Sequence, residues 1–249
     1  RRSNRWNRGR DLSPLVLRAA ADFIMERDAR RAGKWSPGNL VGDKSPNSLM
    51  DGEAVRKLVK VYPEARLIFI VRDGRDAAVS HRFQAFIDRE GHLLAEDIRI
   101  RQAFASDATP FLSGQRSIFT EKGLRQAAEG WRHNVNDTHQ VASQILEGRY
   151  LHLRYEDLLA HPWEEMRRLW AFLGADVSTP GLREALQAEL EQNPDADWQQ
   201  QKASEIARAL TKGQRGTWRE LFTPRDRQIF KQVAGDTLIA WGYEKDLDW

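Results

Sequence analysis

The chain has 249 residues, of which 39 are Lys or Arg and 36 are Asp or Glu, and its formal net charge is +3. Nine Trp and ten Phe exclude disorder for most of the chain, because disordered chains have few aromatic residues and a high net charge. The absence of Cys excludes a disulfide framework, a thiolate zinc site and a cysteine nucleophile, and so small a net charge gives no indication of a nucleic-acid partner.

The first third of the chain predicts two helices and a short strand. Apolar residues near helical spacing predict a helix through Leu15–Met25, with Ser13 as its N-cap and Pro14 at its first position. Leu40-Val41 predicts a short strand directly before Gly42-Asp43-Lys44-Ser45-Pro46. A second helix ends before Pro63. Its apolar face comprises Val55, Leu58, Val59 and Tyr62.

Leu67–Val71 is an uninterrupted apolar run of five residues, a length that no other run exceeds and that is far short of the ~20 residues that a membrane span needs. An unbroken run of this kind predicts a strand buried on both faces, as in a parallel sheet. Arg72–Arg75 predicts a turn, and a helix follows it. The buried stripe of that helix comprises Val79, Phe83, Phe86 and Ile87.

The rest of the chain continues to alternate helices and strands. Residues 88–122 predict no definite element, whereas Leu124–Leu146 predicts a long helix that Gly148 ends. Tyr150–Tyr155 predicts a second strand. Three more helices are predicted over Pro162–Leu173, Gly181–Leu190 and Thr223–Ala240. Strand–helix alternation predicts a three-layer α/β fold with a central parallel sheet, and the length predicts a single domain over residues 1–249.

Ligands of such folds bind at the carboxyl ends of the strands, and three segments follow predicted strands: 42–46, 72–80 and 155–157. The segment Gly38–Ser45 looks like a Walker A loop, but its glycine and lysine spacings are each wrong by one residue. Because such a loop works by wrapping backbone N–H groups around a phosphate, the altered spacing argues against a nucleoside-triphosphate site there.

Arg72 and Ser80 form the strongest candidate site. Arg72 ends the predicted buried strand, and a helix beginning near Asp76 would place Ser80 close to its N-terminus. A guanidinium, a hydroxyl and helix-start amides would then converge on one anion, such as a phosphate monoester. In the alternative interpretation, Arg72 pairs with Asp73 or Asp76 on the surface.

Four segments in order resemble a known family, the sulfotransferases that use 3′-phosphoadenosine 5′-phosphosulfate (PAPS). Residues 70–80, with R-D-G-R-D in the style of bacterial members, resemble the segment that binds the 3′-phosphate. Gly42–Pro46 resembles the acidic-Lys-Ser/Thr-Pro segment, and Arg154–Leu159 resembles the Y-E-D-L segment. Lys212–Trp218 resembles the K-G-x-x-G-x-W segment that closes over the cofactor.

The resemblance implies a P-loop-like fold and the transfer of a sulfuryl group from PAPS to a hydroxyl or amine by in-line displacement, without a metal. It implies that Asp43 is the base that takes the acceptor's proton and that Lys44 stabilises the leaving phosphate or the sulfuryl oxygens. Asp43 could instead cap a helix or form a salt bridge with Lys44, which would then be its structural partner. The implied cofactor-binding residues are Arg72, Ser80, Tyr155, Lys212, Gly213 and Arg215.

Two side chains have an alternative structural role. Tyr155 either lies near the adenine or packs in the core, and Trp218 either stacks near the nucleotide or packs in the core. Glu156 and Asp157 are expected as helix-start acids. Thr211 stands where many relatives have Arg, and Arg215 is a candidate replacement for that charge.

The expected acceptor is a small molecule or a carbohydrate. The protein itself is expected to be cytoplasmic, without a membrane span and without a nucleic-acid partner. The family's Gly/Arg/Ser/Thr-rich loop for the 5′-phosphosulfate is not found in the sequence, so we expect a strand and such a loop upstream of Arg1. Two alternatives stay open: a P-loop nucleotide kinase, which would need Mg²⁺, and a non-catalytic module that binds adenosine 3′,5′-bisphosphate or a sulfated glycan.

Overall fold

The computed structural model describes residues 11–43, 51–88, 93–191 and 216–249. The predicted α/β class is confirmed: the structure is rich in helices and has a parallel sheet, of which the described residues contain the two hydrogen-bonded strands β1 (Leu67–Val71) and β2 (Tyr150–Arg154). The described helices are α1 (Ser13–Arg31), α2 (Gly52–Val61), α3 (Gly74–Asp88), α4 (Ala95–Ser106), α5 (Thr109–Leu112), α6 (Glu121–Ile145), α7 (Tyr155–Ala160), α8 (Pro162–Leu173), α9 (Leu182–Glu191), α10 (Trp218–Leu221) and α11 (Pro224–Ala240).

The chain divides into two compact units, and the prediction of a single domain stays a prediction. The first unit comprises Arg1–Leu67 and Asp137–Tyr150, and the second comprises Ile68–Asn136 and Leu151–Trp249. In the first unit the predicted helix α2 buries its apolar face. The core there consists of Val55, Leu67, Val141, Ala142 and Leu146.

Polar contacts hold both ends of α2. The Asp51 carboxylate accepts a hydrogen bond from the Ala54 amide at 2.7 Å and so caps α2. The Tyr62 hydroxyl, at the end of α2, donates to Asp22 of α1 at 2.8 Å. The N-cap of α1 is Leu12 rather than the predicted Ser13, because no side chain caps this end and the helical backbone starts at Ser13 itself.

The predicted strand at Leu40-Val41 is wrong. Residues 39–43 carry no regular secondary structure, and the side chains of Leu40 and Val41 are 66% and 53% exposed. Two apolar residues form a strand only when a neighbouring strand accepts their backbone hydrogen bonds, and β1 and β2 pair with each other. Asp43 therefore lies in an irregular segment and not at a strand end.

The second unit has an aromatic core around α3, α6 and α11. The predicted stripe of α3 is confirmed, with Val79, Phe83 and Phe86 buried and Ile87 packed against the core. In the region that the sequence left unassigned, α4 and α5 contribute Phe104 and Phe111. These two rings and Phe83 form a chain of edge-on and tilted contacts with centroid distances of 5.3 and 5.4 Å, a geometry that aromatic pairs prefer.

β1 is less buried than its apolar sequence predicts. Leu67 and Val71 are buried, but Ile70 is 48% exposed. Successive side chains of a strand point to opposite faces, so Ile70 shares its face with Ile68 and, beyond the strand end, with position 72. The expectation that both faces of the strand are buried therefore fails at Ile70.

Candidate functional site

The ends of β1 and β2 bring two of the predicted site residues together in the second unit. Arg72 follows β1 directly, and Tyr155 follows β2 and begins α7. The Arg72 guanidinium carbon lies 5.3 Å from the centroid of the Tyr155 ring, within the range of a cation–π contact. Parallel strands end at the same edge of a sheet, and for this reason two residues 83 positions apart become neighbours.

Three consecutive residues, 71–73, are each held through their backbone by a side chain. The Tyr243 hydroxyl donates to the carbonyl of residue 71 at 3.0 Å, and the Trp131 indole N–H donates to the carbonyl of residue 72 at 3.0 Å. The Glu156 carboxylate accepts from the amide of residue 73 at 2.9 Å. Burial raises the pKa of Tyr243, with the charges of Glu156 and Asp73 adding to the effect, and its hydroxyl therefore keeps the proton that it donates.

Arg75 lies at the centre of a buried ion-pair cluster. Its side chain is 0% exposed and binds Asp73 at 2.7 Å and Glu244 at 2.5 Å. The rings of Trp218 and Trp249 cover the guanidinium, with centroid distances of 3.8 and 4.4 Å. Of the two arginines in R-D-G-R-D, the second therefore has a structural role, which the sequence analysis did not assign.

Asp76 joins the start of α3 to the end of the K-G-x-x-G-x-W segment. Its carboxylate accepts the Gly216 amide at 2.6 Å and the Trp218 amide at 3.0 Å. Burial raises the pKa of Asp76, and the two amide hydrogen bonds oppose that effect. The carboxylates of Asp73 and Asp76, offered above as alternative partners of Arg72, thus bind other groups.

Ser80 lies farther into its helix than predicted. The helix α3 begins at Gly74 instead of near Asp76, which makes Ser80 its seventh residue, in the second turn. The first helical residues, 74–76, are buried, and the Arg75 amide donates to the Asp73 carboxylate at 2.9 Å. The Arg75 amide, one of the helix-start amides expected around the anion, is therefore bound to Asp73. Ser80 itself is exposed, on one face of α3 with Ala77 and Gln84.

Gly74 is required by packing, not by the turn that the sequence predicted at 72–75. A Cβ atom built on Gly74 would lie 2.3 Å from a ring carbon of Trp131, whose indole also packs on Phe230 and Tyr243. We expect Gly74→Ala to destabilise the fold by about 1–3 kcal/mol through overpacking, measured as a lower midpoint of urea unfolding.

The matched control for Gly74→Ala is Gly130→Ala in α6. Nothing lies within 4 Å of a Cβ on Gly130, and a helical glycine costs roughly 0.5–1 kcal/mol relative to alanine. This second variant should therefore be slightly more stable than the wild type. A Gly74→Ala midpoint at or above that of the wild type would contradict the packing argument.

The predicted site also includes Asp43, Lys44, Lys212, Gly213 and Arg215. Asp43 is exposed and belongs to the first unit, while Lys44, Lys212, Gly213 and Arg215 lie outside the described residues. Trp218 is 2% exposed and packs in the core, as its alternative interpretation predicted. Glu156 and Asp157 occupy the first turn of α7 as expected.

Sequence reasoning missed the specific contacts of Glu156, Trp131 and Arg75. A signal for Arg75 was its position in the same motif as Arg72, but no sequence pattern identifies a partner 169 residues away. In the described ranges no three His, Cys, Asp or Glu side chains gather in a way that would hold a metal ion. None of the helices described is long and apolar enough to cross a membrane.

Comparison with known proteins gives a family for this chain. The family model described as a sulfotransferase domain matches residues 55–242, which is most of the chain and includes both strand ends described above. The chain belongs to the sulfotransferase domain family. The P-loop-like α/β fold that the resemblance implied is thereby confirmed.

Two relatives of this sulfotransferase-domain chain show how far the similarity extends. A protein-tyrosine sulfotransferase of Drosophila melanogaster is 26% identical over 155 residues, which cover 62% of this chain and 24% of the relative. The chain thus matches about a quarter of the length of that protein. The crystal structure of mouse sulfotransferase SULT7A1 complexed with PAP is 19% identical, with a TM-score of 0.48, and covers 80% of this chain and 66% of that chain.

Proposed function

We propose that this protein transfers a sulfuryl group from PAPS to a hydroxyl or amine acceptor. The observation that carries the proposal is the pair Arg72 and Tyr155 at adjacent strand ends in a chain of the sulfotransferase domain family. When bound, PAPS supplies the activated sulfuryl group. The acceptor oxygen or nitrogen bonds to sulfur, the bond from sulfur to the phosphate oxygen breaks, and the acceptor's proton passes to a base, for which Asp43 is the candidate.

In this proposal Arg72 and Ser80 hold the 3′-phosphate of the nucleotide. The guanidinium matches two phosphate oxygens at once, which an ammonium group does not, and Ser80 lies on an exposed face of the helix that follows. Tyr155 flanks the adenine side of the same strand edge. Lys44, Lys212, Gly213 and Arg215 keep their proposed roles at the leaving phosphate and the cofactor, and no metal is required.

The acceptor and the location stay proposals as well. A small molecule or a carbohydrate is the proposed acceptor, and a cytoplasmic location stays a prediction. A screen of sugars, phenols, lipids and peptides with PAPS, read out as release of adenosine 3′,5′-bisphosphate, identifies the acceptor class. Nucleotide binding without release for any acceptor would instead favour a non-catalytic binding module.

The nucleotide site has its own test, the variant Arg72→Ala in the full-length protein. Hydrogen bonds to charged groups contribute about 1.5–3 kcal/mol each, so affinity for adenosine 3′,5′-bisphosphate should fall roughly 10- to 100-fold. Affinity for 5′-AMP, which lacks the 3′-phosphate, should barely change. Calorimetry with both ligands makes the comparison, and equal losses for the two would mean that Arg72 supports the fold or the 5′ end.

A further inference from the structure

We propose that Glu156 is a positioning residue that sets Arg72 for its ligand, and that it gives the protein its preference for a 3′-phosphorylated nucleotide. This inference rests on the proposed function. It extends that function by assigning selectivity to a side chain that itself contacts only protein. Glu156 directly follows one predicted site residue, Tyr155, and its carboxylate binds the backbone amide of Asp73, which directly follows the other, Arg72.

Glu156 connects the two strand ends through one hydrogen bond. Its carboxylate accepts the Asp73 amide at 2.9 Å, and Asp73 is the residue after Arg72. The peptide group that Glu156 binds is thus the one that joins Arg72 to Asp73. A peptide unit is planar, so hydrogen bonds to its N–H and its C=O hold one of the two planes that meet at the Arg72 Cα atom, and these two planes set the direction of the side chain.

The carbonyl of that same peptide group is held as well. The Trp131 indole N–H donates to the Arg72 carbonyl at 3.0 Å. Trp131 therefore binds the C=O of this peptide unit, and Glu156 binds its N–H. Tyr243 adds the preceding carbonyl, that of Val71. Loss of the Glu156 acceptor would leave the amide of the buried residue Asp73 without its partner and let the plane rotate about the bonds next to Arg72.

Fixing this plane matters for a bidentate contact more than for the fold. A guanidinium that binds two phosphate oxygens needs a set orientation, and its stacking on Tyr155 at 5.3 Å defines that orientation only if the Arg72 backbone stays in place. Catalytic and binding groups lose function when they are misplaced by about 1 Å. The core of the second unit, by contrast, is made of aromatic and aliphatic side chains around α3 and α11.

The experiment compares Glu156→Ala and Glu156→Gln in the full-length protein, by calorimetry with adenosine 3′,5′-bisphosphate and with 5′-AMP. The alanine variant should bind the bisphosphate about 10-fold more weakly, the effect of one lost charged hydrogen bond, and 5′-AMP within about twofold of wild type. The glutamine variant keeps an acceptor oxygen and should retain the preference within a few-fold.

Asp157→Ala is the matched control, because Asp157 is the next residue and both of its carboxylate oxygens accept from the Arg154 guanidinium, at 2.8 and 2.7 Å. It should leave the affinities for both nucleotides within about twofold. A double variant provides the decisive comparison: in an Arg72→Ala background, Glu156→Ala should have no further effect on the bisphosphate, since coupled residues are not additive.

The possible outcomes separate the two proposals. A wild type that binds both nucleotides equally overturns the proposed function and this inference together. A wild type that prefers the bisphosphate, with a Glu156→Ala variant that keeps the full preference or loses both ligands equally, overturns the inference alone. If the alanine variant does not fold, Glu156→Asp decides the question. Its side chain is shorter by one methylene group and does not reach the Asp73 amide, so it should show the same selective loss of affinity for the bisphosphate.

Discussion

Replacing Arg75 by methionine should lower the free energy of unfolding by about 3–5 kcal/mol, because removal of one partner leaves buried carboxylates without a counter-charge. Asp73 is 6% exposed, and the Glu244 side chain is 16% exposed. Methionine fills much of the same volume between the Trp218 and Trp249 rings, so the substitution removes mainly the positive charge. Urea unfolding followed by tryptophan fluorescence measures the change.

Arg125→Met is the matched control for this loss. Arg125 pairs with Glu121 at 3.4 Å on the surface of α6, where the two side chains are 41% and 64% exposed. Exposed pairs contribute about 0–1 kcal/mol, so this variant should unfold near the wild-type midpoint. Equal midpoints for Arg75→Met and Arg125→Met would mean that the buried cluster does not stabilise the fold.

Replacing Asp43 by asparagine should reduce turnover by about 100-fold or more, the loss expected for a positioned general base. The carboxylate is proposed to act on the acceptor, so affinity for adenosine 3′,5′-bisphosphate should stay nearly unchanged. Steady-state release of the bisphosphate from PAPS, with the acceptor that the screen identifies, gives the turnover. Calorimetry gives the affinity.

Asp28→Asn serves as the control for charge loss in the same unit. Asp28 lies on α1 and pairs with the adjacent Arg27 at 3.1 Å, with both side chains more than half exposed. This variant should keep turnover within a few-fold of wild type. If Asp43→Asn also keeps it within a few-fold, Asp43 is not the base and another carboxylate must take the acceptor's proton.

Local patterns predicted the elements of the fold well wherever one face of an element is buried. The spacing of Val79, Phe83 and Phe86 predicted the buried stripe of α3, and an unbroken apolar run predicted β1. The strand at Leu40-Val41 was predicted wrongly because a strand depends on a pairing partner, which a two-residue pattern does not specify. Exposure of Ile70 likewise depends on what covers the sheet.

The candidate site was predictable as far as its charges follow strand ends. Arg72 was predicted from its place at a strand end, and Tyr155 from its place after the second strand together with the family resemblance; the structure brings their side chains into contact. The hydrogen bonds that hold the backbone next to Arg72 were not predictable, because Glu156 and Trp131 bind backbone groups of residues that are distant in sequence. Nor does R-D-G-R-D indicate which arginine is buried, since the distinction depends on Glu244.

The ion pair between Arg75 and Glu244 also has a consequence for the order of folding. The two residues are 169 positions apart, and contacts of such long sequence separation form slowly because a large loop must close first. A chain emerging from the ribosome therefore makes β1 and α3 well before the partner of Arg75 exists. The strand end that carries Arg72 becomes complete only when Tyr243 and Glu244, which follow α11, have packed against it, so nucleotide binding should not appear before those residues have been made.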